Sequence, residues 1–154
     1  MSTITIGLGR IGDAPLIAAM SRELIEHGLP HAWTARRVGA LIRHRESLVA
    51  TARAGTDLVG FSLTQFGDTK AHLALLAVAP SHRRAGLGRR LVRWTEESAV
   101  IAGVFRIDLE VRAINPAALQ FYASLGYVEH ERIANYYSGI EDAIRLSHDL
   151  RIRE

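Results

Sequence analysis

Polar and apolar residues alternate along some stretches of the chain and follow a helical period along others, and the two patterns divide it into strands and helices. Thr3 to Leu8 reads as a short strand. Asp13 is placed to cap a helix with Pro15 in its first turn, where a missing N–H costs little. Leu16, Met20 and Leu24 share one face of that helix, and Gly28 ends it. Thr34 caps a second helix with Val38, Leu41 and Ile42 facing inward. Ser47 to Ala54 and Asp57 to Phe66 read as strands around a Gly55-Thr56 turn, and a Gly67-Asp68 turn leads to a third, Lys70 to Val78. Gly86 to Ala102 is a long helix closed by Gly103, and Phe105 to Val111 is a strand. Asn115 caps a short helix that begins at Pro116 and stops near Gly126, and Tyr127 to Ile133 and Ala143 to Leu150 are two closing strands.

The order β-α-α-β-β-β-α-β-α-β-β predicts an α/β (α+β) fold with a mixed sheet. The strand–helix–strand crossover from Leu73 to Val111 implies a central parallel pair in an otherwise antiparallel sheet flanked by helices. No repeat, linker or low-complexity tract divides the 154 residues, so a single domain spanning 1–154 is expected.

Composition narrows the function classes. No apolar run approaches the ~18 residues of a membrane span, and Met1 to Ile6 lacks a secretory leader's basic and apolar stretches. The absence of cysteine excludes disulfides, thiolate metal sites and a cysteine nucleophile, and fits a cytoplasmic location. Lys plus Arg is 19 against 16 Asp plus Glu, a net charge of +3, and Lys70 is the only lysine. Arginine suits planar contacts with phosphate or carboxylate, whereas the 6% aromatic content offers no base-stacking surface. Neither a nucleic-acid nor a membrane partner is expected. Seven histidines, at 27, 31, 44, 72, 82, 130 and 148, form no short ligand pair, so no metal site is expected either. An exposed closing strand leaves monomer and homodimer both open.

The most informative segment is Val78-Ala79-Pro80-Ser81-His82-Arg83-Arg84-Ala85-Gly86-Leu87-Gly88-Arg89-Arg90, which joins a strand to a helix through two glycines. Glycine allows close backbone approach, and a helix N-terminus offers unpaired N–H donors. Arg83, Arg84, Arg89 and Arg90 crowd the positive end of the helix dipole, where each cation is disfavoured by a few tenths to ~1 kcal/mol. A bound anion would relieve that conflict. The spacing lacks the Gly-Lys-Ser/Thr ending of a P-loop and the third glycine of a dinucleotide site, which favours another pyrophosphate ligand.

Arg83-x-x-Gly86-x-Gly88 resembles the (Gln/Arg)-x-x-Gly-x-(Gly/Ala) signature of the GNAT superfamily of acyl-CoA N-acyltransferases, and Leu75-Leu76-Ala77-Val78-Ala79-Pro80 resembles its preceding strand. The resemblance implies acetyl-CoA as co-substrate. It gives Leu76, Ala77 and Val78 to the pantetheine arm and acetyl carbonyl, and Arg83, Arg84, Ala85, Gly86, Leu87, Gly88 and Arg89 to the pyrophosphate.

In Phe105 to Val111, alternation sets Ile107, Leu109 and Val111 on one face and Asp108 and Glu110 on the other. A central parallel strand is normally apolar on both faces, so two carboxylates on one face predict an opening to a wet groove near the strand's C-terminal end. The plain alternative pairs Glu110 with Arg112 or Arg106. Asn115 to Tyr127 resembles the family's Asn-x-x-Ala-x-x-(Phe/Leu)-Tyr-x-x-x-Gly-Phe helix. By that match Tyr122 sits by the CoA sulfur as general acid, and Asn115 contacts the cofactor, though it is also a good N-cap.

Leu109-Glu110-Val111-Arg112, with Asn135-Tyr136-Tyr137 before Glu141-Asp142-Ala143, is most similar to the bacterial ribosomal-protein-alanine N-acetyltransferase branch. The resemblance implies Glu110 as general base and Tyr136 and Tyr137 at the edge of a peptide groove, with a protein or peptide α-amine as acceptor. The alternatives are an acetyltransferase for a small amine (polyamine, aminoglycoside or amino acid) and a non-catalytic acyl-CoA sensor, which would need neither Glu110 nor Tyr122.

Overall fold

The computed structural model describes residues 3–152. Seven strands, β1 (Ile4–Leu8), β2 (Ser47–Ala54), β3 (Asp57–Phe66), β4 (Ala71–Val78), β5 (Arg106–Arg112), β6 (Val128–Tyr137) and β7 (Glu141–Asp149), form one sheet in the order β1-β2-β3-β4-β5-β7-β6. The predicted parallel pair is β4 with β5, and the other neighbours are antiparallel. Four α-helices flank the sheet: α1 (Ala14–Met20), α2 (Ala35–Arg43), α3 (Leu87–Ile101) and α4 (Pro116–Ser124).

Alternate residues of the central strands feed two helical layers. Val49, Phe61, Leu63, Leu75 and Ala77 pack beneath Ala14, Ile17 and Val38 of α1 and α2. On the opposite face Ala50, Ala52 and Val59 pack with Leu87 and Leu91 of α3. A Cβ at Gly60 would lie 3.2 Å from Leu91 Cδ1 and 3.1 Å from the Ala77 carbonyl oxygen, so the missing side chain lets α3 settle close to the sheet. A third cluster joins α3 and α4 to β5 and β7 through Val92, Ala99, Ile107, Leu109, Tyr122, Leu125 and Leu146.

Several local expectations are corrected. Leu16 is 52% exposed, because α1 turns Ala14, Ile17 and Ala18 inward instead. A π-helical turn over Ser21–Ile25 then shifts the helical register, bringing Leu24 and Ile25 onto the core. Asp13 makes no cap hydrogen bond to α1; it accepts from the Arg10 N–H at 2.7 Å and pairs with Arg53 at 2.5 Å. β6 runs on to Tyr137, beyond the expected Ile133, because irregular pairing with β7 carries it past Asn135, at φ 56°. No helix among the described residues is long and apolar enough to cross a membrane.

The feature that positions the site is a splay. β4 and β5 pair only at Ala71–Ile107 and His72–Asp108. Beyond His72 the strands part, and the β4 edge from Leu73 to Val78 has no ladder partner on the β5 side. The wedge opens toward the C-terminal ends of both strands, where α3 and α4 begin.

Candidate active site

The splay opens into a cavity of about 480 Å³ lined by Leu73 to Leu76 of β4, Glu110 to Arg112 of β5, and Asn115, Ala118 and Tyr122 of the α4 segment. Backbone groups on an unpaired strand edge need partners, so an extended, amide-bearing chain is the ligand shape this edge fits. Ala77 turns its side chain into the core, leaving its backbone for such a role. The Val78 carbonyl already accepts a hydrogen bond from Arg83 Nε at 3.1 Å.

At the end of β4 a 3₁₀ turn (Pro80–His82) leads to Gly86, which precedes α3 at φ 76°. Arg84 is also left-handed, at φ 67°. Two left-handed residues so close curl the main chain and present successive N–H groups at the start of α3, an anion-binding arrangement. A Cβ at Gly86 would meet nothing within 4 Å, so open space lies beside the turn. Gly88 matters for packing, since its Cβ would lie 3.2 Å from Phe121 Cζ, and α4 seats against α3 there. Leu87 buries its side chain among α3's core contacts and can offer a ligand only its backbone. Arg90 donates to the Ile4 carbonyl at 3.3 Å. Arg84 and Arg89 form no ion pair among the described residues, so the cationic crowding seen in the sequence persists in the fold.

Glu110 lies at the base of the wedge. Its carboxylate takes neither of the partners expected from the sequence. Arg106 binds Asp108 at 2.7 Å, and Arg112 binds Glu141 through two nitrogens at 2.6 and 2.5 Å. Instead Glu110 Oε2 accepts from Arg145 Nε at 2.9 Å, and Oε1 accepts from the Tyr136 hydroxyl at 3.0 Å and lies 2.5 Å from His72 Nε2. Arg145 is its direct cross-strand neighbour on β7. Burial by itself would raise the Glu110 carboxyl, but hydrogen bonds from His72, Arg145 and Tyr136 outweigh it and hold the pKa at about 2. Asp108, expected to share the wet groove, is instead buried in ion pairs with Arg106 and with Lys70 at 3.2 Å, and does not line the cavity.

Tyr122 comes from the buried face of α4, with its ring between Phe121 and Tyr127 at centroid distances of 5.0 and 5.5 Å. Burial pushes its phenol pKa well up, and Tyr137 adds to the effect, so the hydroxyl keeps its proton. Asn115 does cap α4: its side chain accepts from the Ala118 N–H at 3.1 Å while it also lines the cavity.

Tyr136 and Tyr137 stand edge-to-face at 5.0 Å on one rim. The segment after the π turn, for which the sequence pattern predicted no structure, also lines the cavity, through Glu26, Leu29, Pro30, Ala32 and Trp33. Glu26 organises it: Oε1 accepts from the Ala32 and Trp33 N–H groups at 2.5 and 3.1 Å, and Oε2 accepts from Ser21 Oγ at 2.8 Å and lies 3.0 Å from His31 Nδ1. Arg37 lies 3.6 Å over the Trp33 ring, and Arg112 Nη1 donates to the carbonyls of Ile25 and His27 at 3.1 and 2.6 Å. Sequence pattern did not single out His72, Arg145 or Glu26. For His72 the signal was its even spacing from Leu76 on β4 together with the crossover, which sets β4 beside β5; for Arg145 and Glu26 no local pattern existed.

A sheet parted at its parallel pair, a curled cationic turn at the end of β4, and a carboxylate and a phenol on the shared cavity are an arrangement that suits an acyl-CoA-type acyltransferase. Comparison with known proteins agrees: residues 17–127 match the acetyltransferase (GNAT) family model, and the chain belongs to that family, whose acetyl donor is acetyl-CoA. Over 93 residues, 58% of the chain and 63% of the relative, it is 41% identical to the ribosomal protein bS18-alanine N-acetyltransferase of Escherichia coli. It is 38% identical over 80 residues to naa20, the catalytic subunit of the N-terminal acetyltransferase B complex of Schizosaccharomyces pombe; these are 52% of the chain and 44% of that relative. The chain thus spans from under half to under two thirds of these relatives' lengths. The crystal structure of the ribosomal-protein-S18-alanine N-acetyltransferase from Escherichia coli superimposes with a TM-score of 0.80 at 30% identity, covering 99% of this chain and 97% of that one.

Proposed function

We propose that this chain is a single N-acetyltransferase domain that acetylates the N-terminal α-amine of a protein or peptide. The observation that carries this reading is the pairing of a buried, ionised carboxylate with a protonated phenol on one cavity at the β4–β5 splay. Bound acetyl-CoA supplies the acetyl thioester, whose carbonyl carbon accepts the amine's lone pair and whose C–S bond then breaks. Backbone groups from Leu76 to Val78 align the donor's arm. The turn from Arg83 to Arg89 holds its pyrophosphate, with Asn115 alongside the bound chain.

Attack requires a neutral amine, and an α-amine has an unperturbed pKa of about 7.7–8.0 against about 10.4 for a lysine side chain. Glu110, the general base that the resemblance implies, draws the ammonium to the base of the wedge and, together with the histidine bound to its carboxylate, takes up one N–H proton, whose electron pair stays on nitrogen. Tyr122 gives its phenolic proton to the departing thiolate and regains one, through water, from the newly acylated nitrogen. Tyr136 and Tyr137 border the acceptor's path. The named activities of the two relatives above, both on protein substrates or N-termini, support the same acceptor class. A panel of short peptides, polyamines and aminoglycosides, followed by free-thiol release, tests the proposal. Peptides with a free α-amine should react fastest, and a far faster reaction of any small amine would overturn the acceptor assignment.

A further inference from the structure

We propose that His72, oriented by Glu110, is the proton acceptor that frees the substrate amine. This inference rests on the amine-acetylation reading above and adds a residue to it. His72 is the last residue of β4 still paired with β5, at the apex of the wedge. Its Nε2 lies 2.5 Å from Glu110 Oε1, and both residues line the cavity.

The surroundings of Glu110 set the roles. An ionised carboxylate can only accept hydrogen bonds, so Nε2 of His72 must be the donor. In the neutral ring this donor assignment leaves the Nδ1 lone pair free, and Nδ1 has no partner among the described residues. The His72 side chain is 40% exposed, whereas that of Glu110 is 6% exposed. The histidine therefore has the route to bulk water that the carboxylate lacks. Glu110 is also poorly suited to hold the proton alone. Its carboxylate already accepts from His72, Arg145 and Tyr136, and those hydrogen bonds favour the ionised form. In the step, one N–H bond of the ammonium breaks and its electron pair stays on nitrogen. A new N–H bond forms at His72 Nδ1, directly or through one water, and the imidazolium is stabilised by Glu110 before it returns the proton to solvent.

The charged and titratable groups around His72 are Asp108 and Glu110 on β5, Arg145 on β7, Tyr136 on β6, and Glu131 of β6 through Arg145. Lys70, just before its own strand, pairs with Asp108. The β3 neighbour, Gln65, is neutral. Glu26, Arg37, Arg112, Tyr122 and Tyr137 line the same cavity.

The test compares wild type, His72→Gln and Glu110→Gln across pH with two acceptors: a peptide with a free α-amine, and the same peptide ending in an aminooxy group, whose nucleophile is neutral throughout. For the α-amine, His72→Gln should lower kcat/KM by about 10²-fold below the amine's pKa, and the deficit should close above it, where solvent does the deprotonation. The aminooxy peptide should be acetylated equally by wild type and His72→Gln, and unchanged acetyl-CoA affinity verifies the fold. A pH-independent loss, or an equal loss on both acceptors, would reduce His72 to a structural role and overturn the inference. Full activity in His72→Gln with the loss confined to Glu110→Gln would return the proton to the carboxylate. A wild type that acetylates neither peptide would overturn the functional reading itself.

Discussion

At Tyr122 the proposed acid role is superimposed on a packing role. Its ring is held by two aromatic neighbours while its hydroxyl borders the cavity, and burial keeps that hydroxyl protonated. Tyr122→Phe retains the ring and removes only the proton donor. Loss of one acid catalyst costs about 10²–10⁴ in rate, so turnover should fall in that range while calorimetry shows little change in acetyl-CoA affinity. Turnover equal to wild type, with chemistry rate-limiting, would remove Tyr122 from the mechanism.

Where β4 hands over to α3, backbone shape is what suits the junction to the proposed role of holding the donor's pyrophosphate. Left-handed Arg84 and Gly86 curl the main chain at the helix start, and Arg84 and Arg89, which form no ion pair among the described residues, add positive charge. Gly86→Val places a branched side chain in the open space beside the turn and imposes a left-handed backbone that L residues resist. Acetyl-CoA affinity should drop severely, by calorimetry, while far-ultraviolet circular dichroism keeps the fold's signature. Unchanged affinity in a folded variant would move the donor site elsewhere.

Across the molecule, ionised carboxylates tie separate elements together. Asp13 joins the start of α1 to β2, Glu26 locks the segment that ends at Trp33, Asp108 binds β5 to the start of β4, and Glu110 joins β4, β5, β6 and β7. For each, burial works to raise the pKa and hydrogen bonds overcome it, so every folded pKa lies below its ordinary value. A depressed folded pKa contributes stability that is complete above the unfolded value. That stability should therefore decline as pH falls below about 4.3 and toward the value of about 2 held by Glu110. Glu26→Gln turns an acceptor into a donor facing Ser21 and His31 and should cost about 1–3 kcal/mol at neutral pH. Urea midpoints at pH 7 and pH 3 check both points: wild type should weaken in acid, and the gap to Glu26→Gln should narrow. A gap equal at both pH values would show that the Glu26 charge does not hold that segment.

What is local was legible in the chain alone. Period-two and helical patterns located the strands and helices, the crossover rule set β4 parallel to β5, and two glycines among arginines marked the turn. The motifs around Glu110 and Tyr122 brought in the family's chemistry. Three-dimensional contact decided the rest. Alternation put Asp108 and Glu110 on one face, but only the sheet order separated them, enclosing Asp108 in ion pairs and setting Glu110 beside His72 and Arg145. The face of α1 was misread because a π turn changes helical phase without a pattern in hydrophobicity. Glu26 could not be read because its donors lie at residues 21, 31, 32 and 33, gathered by a loop whose shape they themselves fix. Local periodicity records burial along one element, whereas a site's protonation states depend on partners that only the closed sheet brings within hydrogen-bonding distance.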